Sequence, residues 1–252
     1  MKKEVVNLKS AEDIEKLRKS NLVVAEVLEI LSEMVVPGAT LLDLERRAEI
    51  EVNKRGVRAA FKGYRGFPFC LCTSVNEVVV HGMPSDRVLN AGDIVSIDFG
   101  VECDGFYGDS ARTIAVGEIS NDVRRLVDVT KKSLDLAIEA MIVGNTLKDI
   151  SKAIQGHVES RGFSVVRAFV GHGIGKNLHE APQVPNFVMP GLDLKLKEGM
   201  VLAIEPMINV GTPDIKILED GWTAVTTDGA LSAHFEHSVA VTSKGPYVLS
   251  RI

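Results

Sequence analysis

Gly92-Asp93-Ile94-Val95-Ser96-Ile97-Asp98 is an apolar run that begins at a glycine and ends on a carboxylate. At an offset of 107 residues, Gly199-Met200-Val201-Leu202-Ala203-Ile204-Glu205 has the same form and again ends on an acid. Upstream, Gly38-Ala39-Thr40-Leu41-Leu42-Asp43-Leu44 matches Gly144-Asn145-Thr146-Leu147-Lys148-Asp149-Ile150 at an offset of 106, and Arg55-Gly56 recurs as Arg161-Gly162 at the same offset. One such match would be an ordinary helix start with Thr as N-cap. Three in register point to duplication. The expectation is a single domain over 1–252 built of two related halves, 10–120 and 121–252, packed about a pseudo-twofold so that Asp98 and Glu205 occupy equivalent positions across a cleft.

The local signals give an α+β chain. Ser10 and Asp13 open a first helix in which Ile14, Leu17, Val24, Leu28 and Leu31 recur at helical spacing. Thr40 opens a second that stops at Gly56, and the order repeats with helices from about Asp122 to Met141 and from Thr146 to Arg161. Strands follow each helix pair. Asp104-Gly105, Asp220-Gly221 and Asp228-Gly229 read as two-residue hairpin turns. Helices grouped ahead of antiparallel strands predict a curved antiparallel sheet with helices on its outer face. If Asp104-Gly105 is the whole of its loop, Cys103 pairs with Phe106, Asp98 lies opposite Ala111, and Asp109 is the diagonal neighbour of Asp98 on the same face.

Asp98, Asp109, His172, Glu205 and Glu236 sit where strand-like runs meet glycine, proline or another strand. Four carboxylates in buried runs repel one another and lose hydration, at several kcal/mol per ion unless a positive charge offsets it. The runs Ile94 to Asp98, Val170 to His172 and Val201 to Glu205 hold no Lys or Arg. A lone aspartate of this kind is usually a turn or edge residue, but a pair on one strand face suits shared metals. Four carboxylates and one imidazole suit two divalent cations, so the residues point to a dinuclear metallohydrolase.

The other histidines divide by context. Gly171-His172-Gly173-Ile174-Gly175 lacks the third glycine of a nucleotide loop, because position 176 is Lys176. Its glycines instead let the imidazole and backbone approach a metal and substrate closely. His179, seven residues on, reaches the same cleft, and His81 follows a strand-like run and precedes a glycine. His234 shares a strand face with Glu236, His237 points the other way, and His157 falls on a helix as a solvated residue.

The net charge is −5, with no basic run to track phosphates, so no direct nucleic-acid binding is expected. Cys70, Cys72 and Cys103 are an odd, sparse set without CxxC spacing, which suits reduced thiols. Met1-Lys2-Lys3-Glu4 leads into a charged segment rather than an apolar signal core, and no window approaches the ~20 apolar residues of a membrane span. The expectation is a monomeric cytoplasmic enzyme without membrane association.

His81-Gly82, Asp98, Asp104-Gly105-Phe106-Tyr107-Gly108-Asp109, Gly171 to Gly175, His179-Glu180-Ala181-Pro182, Glu205-Pro206-Met207 and Ser232 to His237 together resemble the type I methionine aminopeptidases over nearly the whole chain. The resemblance implies the pita-bread fold. It implies two divalent ions (Co2+, Mn2+, Fe2+ or Zn2+), with Asp109 and Glu236 bridging them, His172 and Glu205 completing one site and Asp98 the other. It implies that Glu205 accepts a proton, that His179 stabilises the tetrahedral intermediate, and that His81 contacts substrate and assists the leaving amine. Removal of the initiator methionine from nascent polypeptides, ahead of a small second residue, is the implied activity; the ribosome is where such chains would be met. Only 32 residues separate His172 from Glu205, which leaves no room for the type II insertion. With the first helix starting by residue 10, neither a zinc-binding extension nor the N-terminal domain usual in proline-directed peptidases of this fold is expected.

Positions matching the family's methionine pocket carry Phe61, Tyr64, Phe67, Cys72, Leu178 and Trp222. Three depart from the pattern: Phe61 stands for a usual Cys, Phe67 for a Tyr and Leu178 for a Phe. The first fills space and the last frees it.

Overall fold

The computed structural model describes residues 5–252; the charged start read from residues 1–4 lies outside the described residues. Four helices, α1 (Ala11–Glu33), α2 (Leu41–Arg55), α3 (Asn121–Glu139) and α4 (Leu147–Glu159), are set in two pairs. Each pair is followed by strands. The first set comprises β1 (Arg58–Ala59), β2 (Leu71–Val75), β3 (Val78–Val80), β4 (Ile94–Cys103) and β5 (Phe106–Ala115). The second comprises β6 (Ser164–Val165), β7 (Gly171–Gly173), β8 (Glu180–Val184), β9 (Val201–Ile204), β10 (Met207–Asn209), β11 (Ile215–Ile217), β12 (Ala224–Thr226), β13 (Ser232–His234), β14 (His237–Thr242) and β15 (Gly245–Val248).

The helix starts are those the sequence marks. Ser10 accepts from the Asp13 N–H while the Asp13 carboxylate accepts from the Ser10 N–H. Thr40 with Asp43, and Thr146 with Asp149, hold their helix starts by the same threonine-to-aspartate bonds. The start of each of these two helices is bound in the same way to the loop ahead of a strand, β4 in the first half and β9 in the second. Gly38 N–H donates to Leu89 O at 2.9 Å and Gly144 N–H to Leu196 O at 3.0 Å. Leu41 N–H donates to Arg87 O at 3.2 Å and Leu147 N–H to Leu194 O at 3.1 Å.

All strand pairs are antiparallel, in four hydrogen-bonded sheets: β1 and β2 on one edge of β4 with β5 on the other; β13-β10-β6; β11-β12-β3; and β15-β14-β9-β7-β8. The β4–β5 hairpin turns through Asp104 and Gly105, both at positive φ (53° and 81°), and pairs Cys103 with Phe106 and Asp98 with Ala111 as read from the sequence. The other two Asp-Gly dipeptides are not two-residue hairpins. Ile217 pairs with Ala224, so Asp220-Gly221 lies inside a six-residue loop, 218–223. There the Asp220 carboxylate accepts from the N–H groups of Trp222 and Thr223 and from the Thr223 hydroxyl, shaping a wider loop by side-chain bonds. Asp228-Gly229 joins β12 to β13, which belong to different sheets, and Asp228 binds Thr212 and Ala230 N–H.

Two large apolar cores sit one under each helix pair. Leu28, Leu31, Leu44 and Ala48 pack with Leu71, Ile97 and Phe99; Leu126, Met141, Ile150 and Ile154 pack with Leu202, Ile204 and Ile208. A seam joins the halves. Glu236 N–H donates to Ala111 O at 2.8 Å, His234 N–H donates to Thr113 Oγ1 at 2.9 Å, and the Ser110 and Ser238 hydroxyls donate to Glu236 O and Asp109 O. β5 is thereby fixed against the β13–β14 crossing.

Helix α1 approaches β5 most closely at Gly108, where an added Cβ would fall 2.7 Å from Asn21 N and Ser20 C. Neither backbone can give way. Gly108→Ala is expected to cost about 1–3 kcal/mol, seen as a lower urea midpoint at unchanged m-value.

Candidate metal centre

The β4–β5 hairpin supplies two acids. Asp98 lies mid-strand, paired with Ala111 on one side and Cys72 of β2 on the other, and Asp109 pairs with Gly100. Asp109 N–H is held by Asn21 Oδ1 of α1 at 3.3 Å. The second half supplies the rest: His172 from the middle of β7, Glu205 one residue past β9, and Glu236 from the two-residue step between β13 and β14. The seam bonds to Ala111 and Ser110 bring Glu236 up to Asp109.

The five side chains face one cavity of about 550 Å³. Ligand atoms of Asp109, His172 and Glu236 lie within 4.8 Å of one another, and His172 Nε2 is 3.6 Å from Glu205 Oε1. His172 donates its Nδ1–H to the Gly173 carbonyl at 2.9 Å, which leaves the Nε2 lone pair facing the acids. Asp98 Oδ1, Asp109 Oδ1 and Glu236 Oε1 are buried without a hydrogen-bond partner. Burial pushes the Asp98 carboxyl up to about 7. Burial and then the charge of Asp98 push Glu205 well up; Asp109 and Glu236 are raised by burial and by the neighbouring acids. No Lys or Arg pairs with any of the four among the described residues. Buried, orphaned acceptors around one free imidazole nitrogen are a donor set that fits divalent cations.

All thirteen site residues read from the sequence line this cavity. Phe61, Phe67, Cys72 and Leu178 form a buried apolar cluster against Tyr64 and Trp222, and the Phe67 and Trp222 rings meet edge-on at 5.1 Å. The His179 ring lies 4.2 Å from that of His172, and its Nδ1 is 2.8 Å from the Tyr64 hydroxyl. Burial first, then the nearby His172, hold the His179 imidazole down at about 3, and burial also lowers His81. His81 takes a left-handed φ of 59° and meets Phe169 edge-on at 5.1 Å. Gly82 is required beside it, since a Cβ there would fall 2.2 Å from Thr73 O.

Phe169, Gln183, Arg65 and Glu180 also line the wall and were not read from the sequence. Phe169 had a signal, standing in the run that leads into Gly171-His172, and Glu180 stood beside His179 in a quoted motif without being given a role; Arg65 and Gln183 sit in segments with no periodicity to mark them. His234 is buried beside Glu205 (3.8 Å) but not in the cavity wall, and His237 faces Ser250. His157 corrects the solvated reading: it is on α4 but half-buried, with Nε2 shut away and unpartnered.

The model of metallopeptidase family M24 matches residues 15–243. The chain belongs to metallopeptidase family M24. This M24 peptidase is 50% identical to a methionine aminopeptidase of Clostridium perfringens over 98% of its own length and 100% of the relative's. It is 47% identical to methionine aminopeptidase 1 of Bacillus subtilis, covering 94% and 95% of the two chains. Its α+β pita-bread fold superposes on a methionine aminopeptidase structure from Thermotoga maritima with a TM-score of 0.96, at 44% identity and 98% and 100% coverage. No helix among the described residues is long and apolar enough to cross a membrane.

A carboxyl whose pKa is higher in the fold than in the unfolded chain holds its proton more tightly when folded. Its ionisation therefore costs stability, progressively, as pH rises from near 4 through about 7. In the metal-free protein, Asp98→Asn is expected to unfold at a higher urea concentration than wild type at pH 8, by an amount of order 1–4 kcal/mol, and to lose that advantage at pH 4. Equal stabilities at pH 8 would refute the electrostatic account.

Proposed function

We propose that this M24 peptidase is a methionyl aminopeptidase that removes the initiator methionine from nascent proteins whose second residue is small, in the cytoplasm. The observation that carries the reading is one cavity in which four enclosed acids and a free imidazole nitrogen adjoin an apolar slot. Likeness to methionine aminopeptidases over the full length of both chains supports it.

In this reading Asp98, Asp109, His172, Glu205 and Glu236 would together hold two divalent ions, Asp109 and Glu236 serving both. One imidazole among carboxylates favours Mn2+, Fe2+ or Co2+ over a closed zinc site. A bound dication pair supplies Lewis-acid activation of water and of the scissile carbonyl. The chain's own residues do the rest. Glu205 takes the proton of the attacking water and returns it to the leaving amine. His179 is neutral at pH 7; in this reading the Tyr64 hydroxyl, 2.8 Å away, donates to Nδ1, and the proton on Nε2 serves the oxyanion of the tetrahedral intermediate. His81 contacts the substrate on the Phe169 and Trp222 side and assists the amine. Phe61, Tyr64, Phe67, Cys72, Leu178 and Trp222 enclose the methionine side chain. An apolar slot of this kind discriminates by only ~1–3 kcal/mol per methylene, so norleucine-like side chains are accepted as well. The hydrogen bonds repeated at Gly38 and Gly144 support reading 10–120 and 121–252 as two copies of one half-unit within a single domain.

The test is hydrolysis of Met-Ala-Ser against Ala-Pro peptides with Mn2+ or Co2+ added. Methionine release alone is expected; release only of proline-linked residues would replace the reading by a proline-directed peptidase of the same fold, and no turnover with any metal by a peptide-binding protein. His172→Ala should lower kcat/KM more than tenfold, a loss above about 1.4 kcal/mol, with the fold intact. Trp222→Ala should change the preference among Met, norleucine and Leu peptides more than it changes bound metal. An equal loss of metal would remove Trp222 from the slot.

A further inference from the structure

Glu180 lines the cavity but takes no part in the chemistry above. It opens β8 immediately after His179, and the loop back to β7 and His172 is only residues 174–179. Its carboxylate is fully engaged: Oε2 accepts from Lys9 Nζ at 2.6 Å and Oε1 from the Asn177 N–H at 3.1 Å. The pair is enclosed, with side chains 7% and 5% exposed, and its members lie 171 residues apart in sequence. Lys9 belongs to the arm ahead of α1. That arm is itself fixed, since Lys9 N–H donates to Gly199 O at 2.7 Å and Nζ also donates to Asn7 O.

The pair fills the inside of the loop down to its backbone. A Cβ on Gly175 would fall 2.6 Å from Glu180 Oε1 and 2.7 Å from Lys9 Cε. The other side of the loop is held by the sheets: Ile174 N–H donates to Val201 O, and Tyr107 N–H donates to Gly175 O. Ile174 is buried with Leu17, Phe106 and Leu249. The start of the loop is thus tied by backbone bonds and apolar packing, and its end, at His179-Glu180, by a buried charge pair reaching in from the arm.

A buried ion pair adds little net stability, because desolvation offsets the attraction; removing one partner strands the other charge, which then moves toward water. Such a pair fixes a position better than it strengthens a fold. Here the position fixed is that of the residue next to Glu180. We propose that Lys9, acting through Glu180, is a positioning residue that holds His179 against Tyr64 and His172 for peptide hydrolysis. The proposal rests on the role given to His179 under the proposed function.

The test is steady-state hydrolysis of Met-Ala-Ser by metal-loaded Lys9→Met, Lys9→Arg, His179→Ala and the double variant Lys9→Met/His179→Ala, with bound metal measured for each. Lys9→Met is expected to lower kcat by about 10- to 100-fold, the scale of a misplaced catalytic group, with KM and metal content little changed. Lys9→Arg, which keeps the charge, should recover most of that loss. In the His179→Ala background, Lys9→Met should add less than about a twofold further loss, since both changes remove the same interaction. Losses that multiply in the double variant, or a Lys9→Met enzyme with unaltered kcat, would overturn the proposal. A His179→Ala enzyme with full kcat would overturn the role of His179 itself, a distinct result. If Lys9→Met does not fold, Glu180→Gln, which keeps the side chain's shape but removes the charge and turns one acceptor oxygen into an NH2 donor, carries the same comparison: non-additivity with His179→Ala supports the positioning role and multiplication refutes it.

Discussion

The mutual repulsion of Asp98, Asp109, Glu205 and Glu236 is the constraint around which the molecule is arranged. Asp109 and Glu236 are buried and Asp98 and Glu205 largely so, three of the four keep an oxygen without any partner, and no lysine or arginine among the described residues answers them. A chain left to relax would turn such groups outward. This one cannot, because the acids come from strands locked by other bonds. The hairpin holds Asp98 and Asp109 in register, and the seam pins Glu236 to it through the hydroxyls of Ser110, Thr113 and Ser238 and through backbone N–H groups. These seam bonds are neutral. They place the charges without neutralising them, so the electrostatic demand of the cleft is left for a cation to meet.

Burial acts on the histidines in the opposite chemical direction. His172, His179 and His81 are all pushed down, so the imidazoles are neutral while the acids cling to protons. A metal-free cleft therefore approaches neutrality by protonating acids and not by charging imidazoles. A neutral His172 with its Nδ1–H spent on Gly173 is already the species that ligates, and its geometry needs no metal to set it.

Local chemistry was legible in the sequence wherever a side chain speaks to its own neighbours. The Thr-x-x-Asp helix starts, the Gly56 stop and the Asp104-Gly105 turn depend on residues within four positions, and each stands where it was read. The cluster of cleft acids was legible because an acid at the end of an apolar run is costly and so conspicuous. Asp220-Gly221 and Asp228-Gly229 misled for a definite reason. The same dipeptide closes a tight hairpin by backbone torsion or shapes a wider loop through the aspartate oxygens, and nothing in two letters distinguishes them. Arg65 and Gln183 reach the cavity wall without a local signal, and the Lys9–Glu180 contact spans 171 residues.

Trp222 stands on the loop that Asp220 shapes, between two strands that carry no metal ligand. That loop is closed by the Asp220 carboxylate together with the backbone bonds Leu218 N–H to Thr223 O and Gly221 N–H to Leu218 O, none of which involves an acid of the cleft. Under the proposed function, the loop that presents Trp222 to the methionine side chain is thus separate from the strands that present the acids. The loop is where divergence toward new peptide preferences would meet the least resistance from the rest of the protein.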